Sequence, residues 1–122
     1  MSQFDVKKLR EKALQSDDIK NDIIYIEEWD AEFPVQSLRT KDLKSVLQQS
    51  KTGNGEQRDE VRMACLAVLY GCRTPDGSAI FTREDLAAFE EQKAAAPLMK
   101  ISAKIMEISG FTDKKAVQEA KN

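Results

Sequence analysis

Histidine is absent from this 122-residue chain. Without it no Ser-His-Asp relay can be assembled, and a cysteine nucleophile lacks its usual base. Only two cysteines are present, so a zinc site would need two carboxylates to complete it. Cys65 and Cys72 lie seven apart, about 10 Å along a helix axis and beyond disulfide reach; they read as buried free thiols. Glycine is scarce as well, and Gly53-Asn54-Gly55 lacks the strand-to-helix setting and the lysine of a phosphate loop. The longest apolar run, Met63 to Tyr70, falls far short of the roughly 20 residues that cross a bilayer. The N-terminal stretch is charged and amphipathic, without the apolar centre of a secretory signal. The expected place of work is the cytosol.

An excess of either charge is also missing. Nineteen Lys and Arg face 21 Asp and Glu, a formal net charge of −2. Nucleic-acid binders need a basic face to neutralise phosphates. The cluster Lys7, Lys8, Arg10 and Lys12 is diluted by Asp5 and Glu11 and reads as a solvated helix face. Neither a nucleic-acid nor a membrane partner is expected.

What the chain does have is apolar residues at structured spacings, with 41% hydrophobic and 33% charged residues. This is the balance of a folded protein rich in surface helices, and the length suits one domain spanning 1–122. Flexible ends are expected at 1–3 and 114–122, and a loop from Lys51 to about Gln57. Phe4, Val6, Leu9, Ala13 and Leu14 recur at helical spacing, which predicts an amphipathic helix with one buried stripe. Ile23 to Ile26 is β-branched and aromatic, and the chain returns through Phe33, Val35 and Leu38, which predicts a hairpin with Pro34 on an edge. Thr40 is the expected cap of a helix running to about Gln49. Asp59 to Gly71 is apolar nearly all round from Met63 onward, the pattern of a helix at the centre of the core.

Thr74-Pro75-Asp76-Gly77 reads as a turn. Thr82 with Asp85 resembles a capping box ahead of a helix that buries Leu86 and Phe89. Pro97 suits the first turn of a helix with Leu98, Ile101, Ile105 and Ile108 on one face, and Gly110 stands where a helix C-cap belongs. A short polar helix is expected from Thr112. The fold class is α+β, helix-dominated: an N-terminal helix, one β-hairpin, then four to five packed helices.

Two acidic constellations invite chemistry and fail on inspection. Placing Gly77 at the sixth position of an EF-hand loop makes Cys72, Thr74 and Arg83 the first, third and twelfth ligands, a set with almost no carboxylate. Asp17, Asp18, Asp22, Glu27, Glu28, Asp30 and Glu32 cluster in sequence, but on a linker and hairpin tip where solvent prevents the pKa separation that acid-base pairs need. No enzyme, cofactor or metal site is expected. Binding remains, and three residues are candidates for partner contact. Trp29 at the hairpin tip is either folded onto the core or presented to a partner. Met99 and Met106 border a helical stripe, where flexible thioethers either fill gaps or meet an irregular apolar partner.

Two short stretches then carry a resemblance. Asp17-Asp18-Ile19-Lys20 leading to Ile26-Glu27-Glu28-Trp29, and Pro75-Asp76-Gly77 leading to Ile80-Phe81-Thr82-Arg83-Glu84-Asp85, resemble the tail assembly chaperones of long-tailed bacteriophages and prophages. One departure is Ile26-Glu27, where relatives often have Val-Pro before Glu-Trp. The resemblance implies a late protein of the host-cell cytoplasm that binds the tape measure protein and keeps that long helical chain soluble. It further implies help in recruiting tail tube protein, self-association into oligomers, and absence from the finished tail. It also implies a longer product made by translational frameshifting, for which Ala120-Lys121-Asn122 is a compatible slippage site. Alternatives are a structural tail or head-to-tail component and a small helical adaptor or regulator.

Overall fold

The computed structural model describes residues 4–52 and 58–111. Asp5 opens the first helix, α1 (Val6–Gln15), its Oδ1 accepting the Lys8 N–H at 3.1 Å. The chain then forms a hairpin of β1 (Asn21–Ile26) and β2 (Ala31–Gln36), joined by a 3-10 turn at Glu27–Trp29. The strands are antiparallel, with Ile26 opposite Ala31 and Ile24 opposite Phe33. Alternation along each strand sends Ile24, Ile26, Phe33 and Val35 to the inner face, while Ile23 and Tyr25 face outward. In a two-stranded sheet both strands are edges, so Pro34 costs no ladder partner.

Four helices follow: α2 (Thr40–Gln49), α3 (Glu60–Gly71), α4 (Asp85–Gln92) and α5 (Ala95–Ile108). Among the described residues the architecture is therefore the expected α+β arrangement with helices dominant. The short helix expected from Thr112, the triplet Ala120-Lys121-Asn122, both expected flexible ends and most of the 51–57 loop lie outside the described residues.

α3 is the hub, because an element apolar on every side must be surrounded. Ala64 through Leu69 and Gly71 are buried, and α2, α4 and α5 all pack on this helix. Its crossing with α5 is close: a Cβ on Gly71 would lie 2.5 Å from Ile105 Cδ1, inside any tolerable separation. Ile101 and Ile105, fully buried, lock into that seam. The hairpin closes the other side of α5, burying Ile26 and Val35.

Three local details differ from expectation. α2 takes Arg39 as its N-cap, with no side-chain bond, and Thr40 is already helical. At α4 only part of the capping box forms: Asp85 Oδ2 accepts the Thr82 N–H at 2.8 Å, and the Thr82 hydroxyl donates to the same oxygen rather than capping the helix itself. The largest difference is α1. The helix forms where its periodicity predicts, but none of its residues is buried. Val6 is 77%, Leu9 52% and Leu14 69% exposed. The stripe exists and the body of the molecule does not cover it.

Candidate partner-binding groove

The two stretches singled out by sequence meet in space through aromatic rings. Trp29 sits on the 3-10 turn and points inward, half-buried, its ring edge-on to Phe33 at 5.4 Å. Phe33 stacks on Phe81 at 6.2 Å, and Phe81 meets Phe89 of α4 edge-on at 4.9 Å. Such offset and T-shaped pairs suit the quadrupoles of the rings. A polar clamp runs beside them. Gln36, buried at the end of β2, donates through Nε2 to Asn21 Oδ1, Thr74 O and Pro75 O. Hairpin and Asp-Gly turn are thus bolted together. Asp76 spends its carboxylate on the turn itself, accepting from the Thr74 hydroxyl and from Ser78 N–H; these bonds hold its pKa below the ordinary value.

Ion pairs fasten the hairpin to α5 at its rim. Lys104 lies 3.1 Å from Asp22 and Lys100 3.0 Å from Glu28. Both carboxylates are held below their usual range, first by backbone N–H donors and then by the lysines. A polar hollow between the 18–20 linker, the start of α2 and the end of α5 is a fastening too. There Lys20 N–H donates to Ser37 Oγ and Leu38 N–H to Ser109 Oγ. The cysteines offer no reactive group. Burial pushes Cys72 up to about 12, and burial followed by the nearby Glu90 raises Cys65, so neither supplies the thiolate that chemistry needs.

A further feature is an open apolar groove between α3 and α5, with a volume of about 520 Å³. Met63, Ala64 and Ala67 form one wall, and Met99, Ser102, Ala103 and Met106 the other. Small residues on both helices make the trough, and methionines border it. Its far end is set by how α5 stops. Gly110 takes φ 93, Gly110 N–H bonds Glu107 O, and Phe111 N–H bonds Met106 O at 2.7 Å, the paired bonds of a Schellman motif. That motif places Phe111 beside Met106 at the groove end. Met99 is 44% and Phe111 45% exposed. Among the described residues, the charged ones on the groove are Glu60 and Glu107.

Met99 and Met106 therefore share one surface, seven residues and two turns apart on α5, while Trp29 belongs to the aromatic ladder. Sequence reasoning missed Met63 and Phe111. Phe111 was recoverable, because the residue after a Schellman glycine commonly makes an apolar contact back to the last turn. Among the described residues no group of three or more Cys, Asp and Glu side chains is placed to hold a metal. No helix among them is long and apolar enough to cross a membrane.

Comparison with known proteins gives no match to any family model and none to a curated protein. A solved structure does match: the tail assembly chaperone of bacteriophage HK97, with a TM-score of 0.54 and 10% identity. The match covers 84% of this chain and 97% of that one. At such low identity the likeness concerns the path of the backbone, and on that ground this chain shares the fold of that HK97 protein.

Proposed function

We propose that this chain is a bacteriophage tail assembly chaperone, without enzymatic activity, working in the host-cell cytoplasm as one domain. Its client is the tape measure protein, whose exposed helical stripes it covers before the tube forms. It helps recruit tail tube protein and leaves before the tail is finished. The observation that carries this reading is the α3/α5 groove, which is open and bordered by Met63, Met99, Met106 and Phe111 on a fold shared with the HK97 protein. An amphipathic helix lays its apolar face into such a trough, and thioether side chains adapt to irregular partners. Covering the client's apolar stripe lowers, by mass action, the population free to aggregate. Trp29, half-buried with its ring packed on Phe33 and not lining the groove, is assigned a separate, lesser contact outside the trough.

Co-expression with the tape measure protein of the same phage or prophage tests the reading. The wild-type chain is expected to carry the client into the soluble fraction and to co-purify with it. Ala103→Arg, which places a charge in the trough at an exposed helix position, is expected to abolish both. A client equally soluble without the chain, or recovery of the chain in purified particles, sinks the proposal; the second result favours a structural tail component. Reading the coding DNA through Ala120-Lys121-Asn122 checks the frameshift: a slippery heptamer followed by an overlapping open frame is expected.

A further inference from the structure

The Phe111 end of the α3/α5 groove gathers negative charge that has no ion-pair partner among the described residues. We infer that this end seats a cation, so that the groove selects an amphipathic helix carrying a lysine or arginine at one end of its apolar stripe. The inference rests on the client reading above and adds the chemistry by which one helix is preferred over another.

Two carboxylates stand at this end against local rules. Glu107 lies in the last turn of α5, which has no basic residue; carbonyls there already carry partial negative charge, and a cation is the stabilising choice. Asp42 of α2 is buried, and its Oδ2 has no hydrogen-bond partner among the described residues. An anionic oxygen left in that state costs stability. Four residues before Asp42, Leu38 N–H bonds Ser109 Oγ beside the end of α5; four residues after it, Val46 lines the groove. Asp42 thus occupies the turn of α2 between the end of α5 and the trough, on the face that carries Val46. The α2 N-terminus favours a carboxylate in its first turn, yet leaves this Oδ2 unbonded. Glu60, the other groove charge, is in the first turn of α3, where the helix dipole already suits it. The cations of the surrounding elements are committed elsewhere. On α5, Lys100 and Lys104 pair with Glu28 and Asp22 on the hairpin side, and Glu107 acts on Lys104 only through space. Arg62 of α3 pairs with Glu90, and Arg39 donates to Gln36 Oε1. Lys41 and Lys44 are exposed, off the face of α2 that holds Asp42. Lys20 lines the polar hollow beyond the end of α5, together with Asp18. Asp113, Lys114 and Lys115 follow Phe111 in sequence and lie outside the described residues. In an apolar trough the field of Glu107 and Asp42 is weakly screened, so a matched cation there decides which helix binds.

Fluorescence anisotropy with the full chain and labelled helical peptides tests the seat. The peptides share one apolar stripe and differ at a single position at its end, occupied by Lys, Gln or Glu. Wild type is expected to bind the Lys peptide at least about tenfold more tightly than the Glu peptide, with Gln between them and the gap narrowing at high salt. Ala103→Arg is expected to abolish binding of all three, which locates them in the groove. Glu107→Gln and Asp42→Asn remove charge while keeping shape, and circular dichroism and thermal unfolding verify that both fold. Each is expected to cut the Lys-to-Glu preference severalfold while leaving the Gln peptide within about twofold of wild type. A purely structural Asp42 would instead move all three peptides together. The inference is overturned by equal binding of the Lys and Glu peptides, by a preference that neither folded variant changes, or by no binding of any peptide. It is also overturned by a lysine preference that appears only in Lys114→Gln/Lys115→Gln, which would give the seat to the chain's own lysines. Equal binding would leave the groove its client and remove only the charge rule, whereas a client that stays insoluble on co-expression sinks the earlier reading whatever the peptides do.

Discussion

α1 and α3 are both built from helix-forming sequence with apolar residues at helical spacing, and their fates differ completely. α3 is enclosed by α2, α4 and α5, with Ala64 to Leu69 buried; α1 buries nothing. The distinction lies in the pattern. A helix apolar on all sides can only exist inside, so its position in the core follows from its own sequence. A helix with one stripe states that one face needs cover and leaves the cover unspecified. Each fully buried Val, Leu or Phe contributes roughly 1.5–3 kcal/mol, and in a single copy the α1 stripe forgoes most of that.

The comparison breaks most visibly at the α3/α5 seam. Ile101→Ala empties a fully buried site and is expected to cost about 2–5 kcal/mol, transfer and cavity terms together. Urea unfolding followed by circular dichroism measures it; a loss below about 1 kcal/mol would mean that α5 is not locked to the hub. Gly71→Ala acts on the same contact from the opposite side. Its methyl would meet Ile105 Cδ1 at 2.5 Å, and such overpacking costs about 1–3 kcal/mol. Since the added methyl also favours the helix intrinsically, by up to about 1 kcal/mol, net destabilisation would show that steric exclusion wins. A stabilised variant would show that Ile105 simply moves aside.

How much of this was legible follows the same division. Helix limits set by local chemistry could be read: Pro97 lies in the first turn of α5 and Gly110 ends it, as proline and glycine geometry require. The hairpin was readable from its β-branched and aromatic residues, but its inner face was not: β1 is apolar at every position from Ile23 to Ile26, and Ile23 and Tyr25 nevertheless face outward. What sequence could not supply is which face meets which. Gln36 reaches Thr74 and Pro75, and Phe33 stacks on Phe81, across intervals where no periodicity links the partners. Met99 and Met106 were visible as the border of a stripe. That they border an open trough depends on Ala64, Ala67 and Ala103 being small where two helices face one another, a property of the pair and not of either helix. The cover of α1 failed for the same reason, since a stripe names its chemistry and not its neighbour.

Acid sharpens the comparison at the hairpin, the element that joins α1 to the helical body. Asp22 and Glu28 have depressed folded-state pKa values. Their contribution is therefore complete above the unfolded carboxylate values, near 4, and is lost as pH falls below these through the folded values. The chain has no histidine, so stability should stay level between pH 8 and 5 as far as side-chain titration is concerned. Below about pH 4, hairpin amides should exchange earlier than those of α3, whose buried stretch from Ala64 to Leu69 has only a thiol to titrate. The effect is modest because both ion pairs are at the surface. Hydrogen exchange that rises uniformly across hairpin and α3 would contradict it.

The smallest effect on stability is expected where the sequence promised a buried stripe. Leu9→Ala removes a large apolar side chain, yet in dilute solution it should change the unfolding free energy by less than about 0.5 kcal/mol, the range of ordinary surface substitutions. Leu9 is 52% exposed and α1 has no buried residue, so no cavity forms and no core contact is lost. Alanine also ranks at the top of the helix scale, which keeps α1 formed and isolates the loss of the side chain. Ile101→Ala should cost several times as much for a comparable loss of side chain. A measured cost for Leu9→Ala approaching that of Ile101→Ala, and independent of protein concentration, would place the stripe against its own body. A cost that appears only as concentration rises is the signature of a surface completed by another molecule.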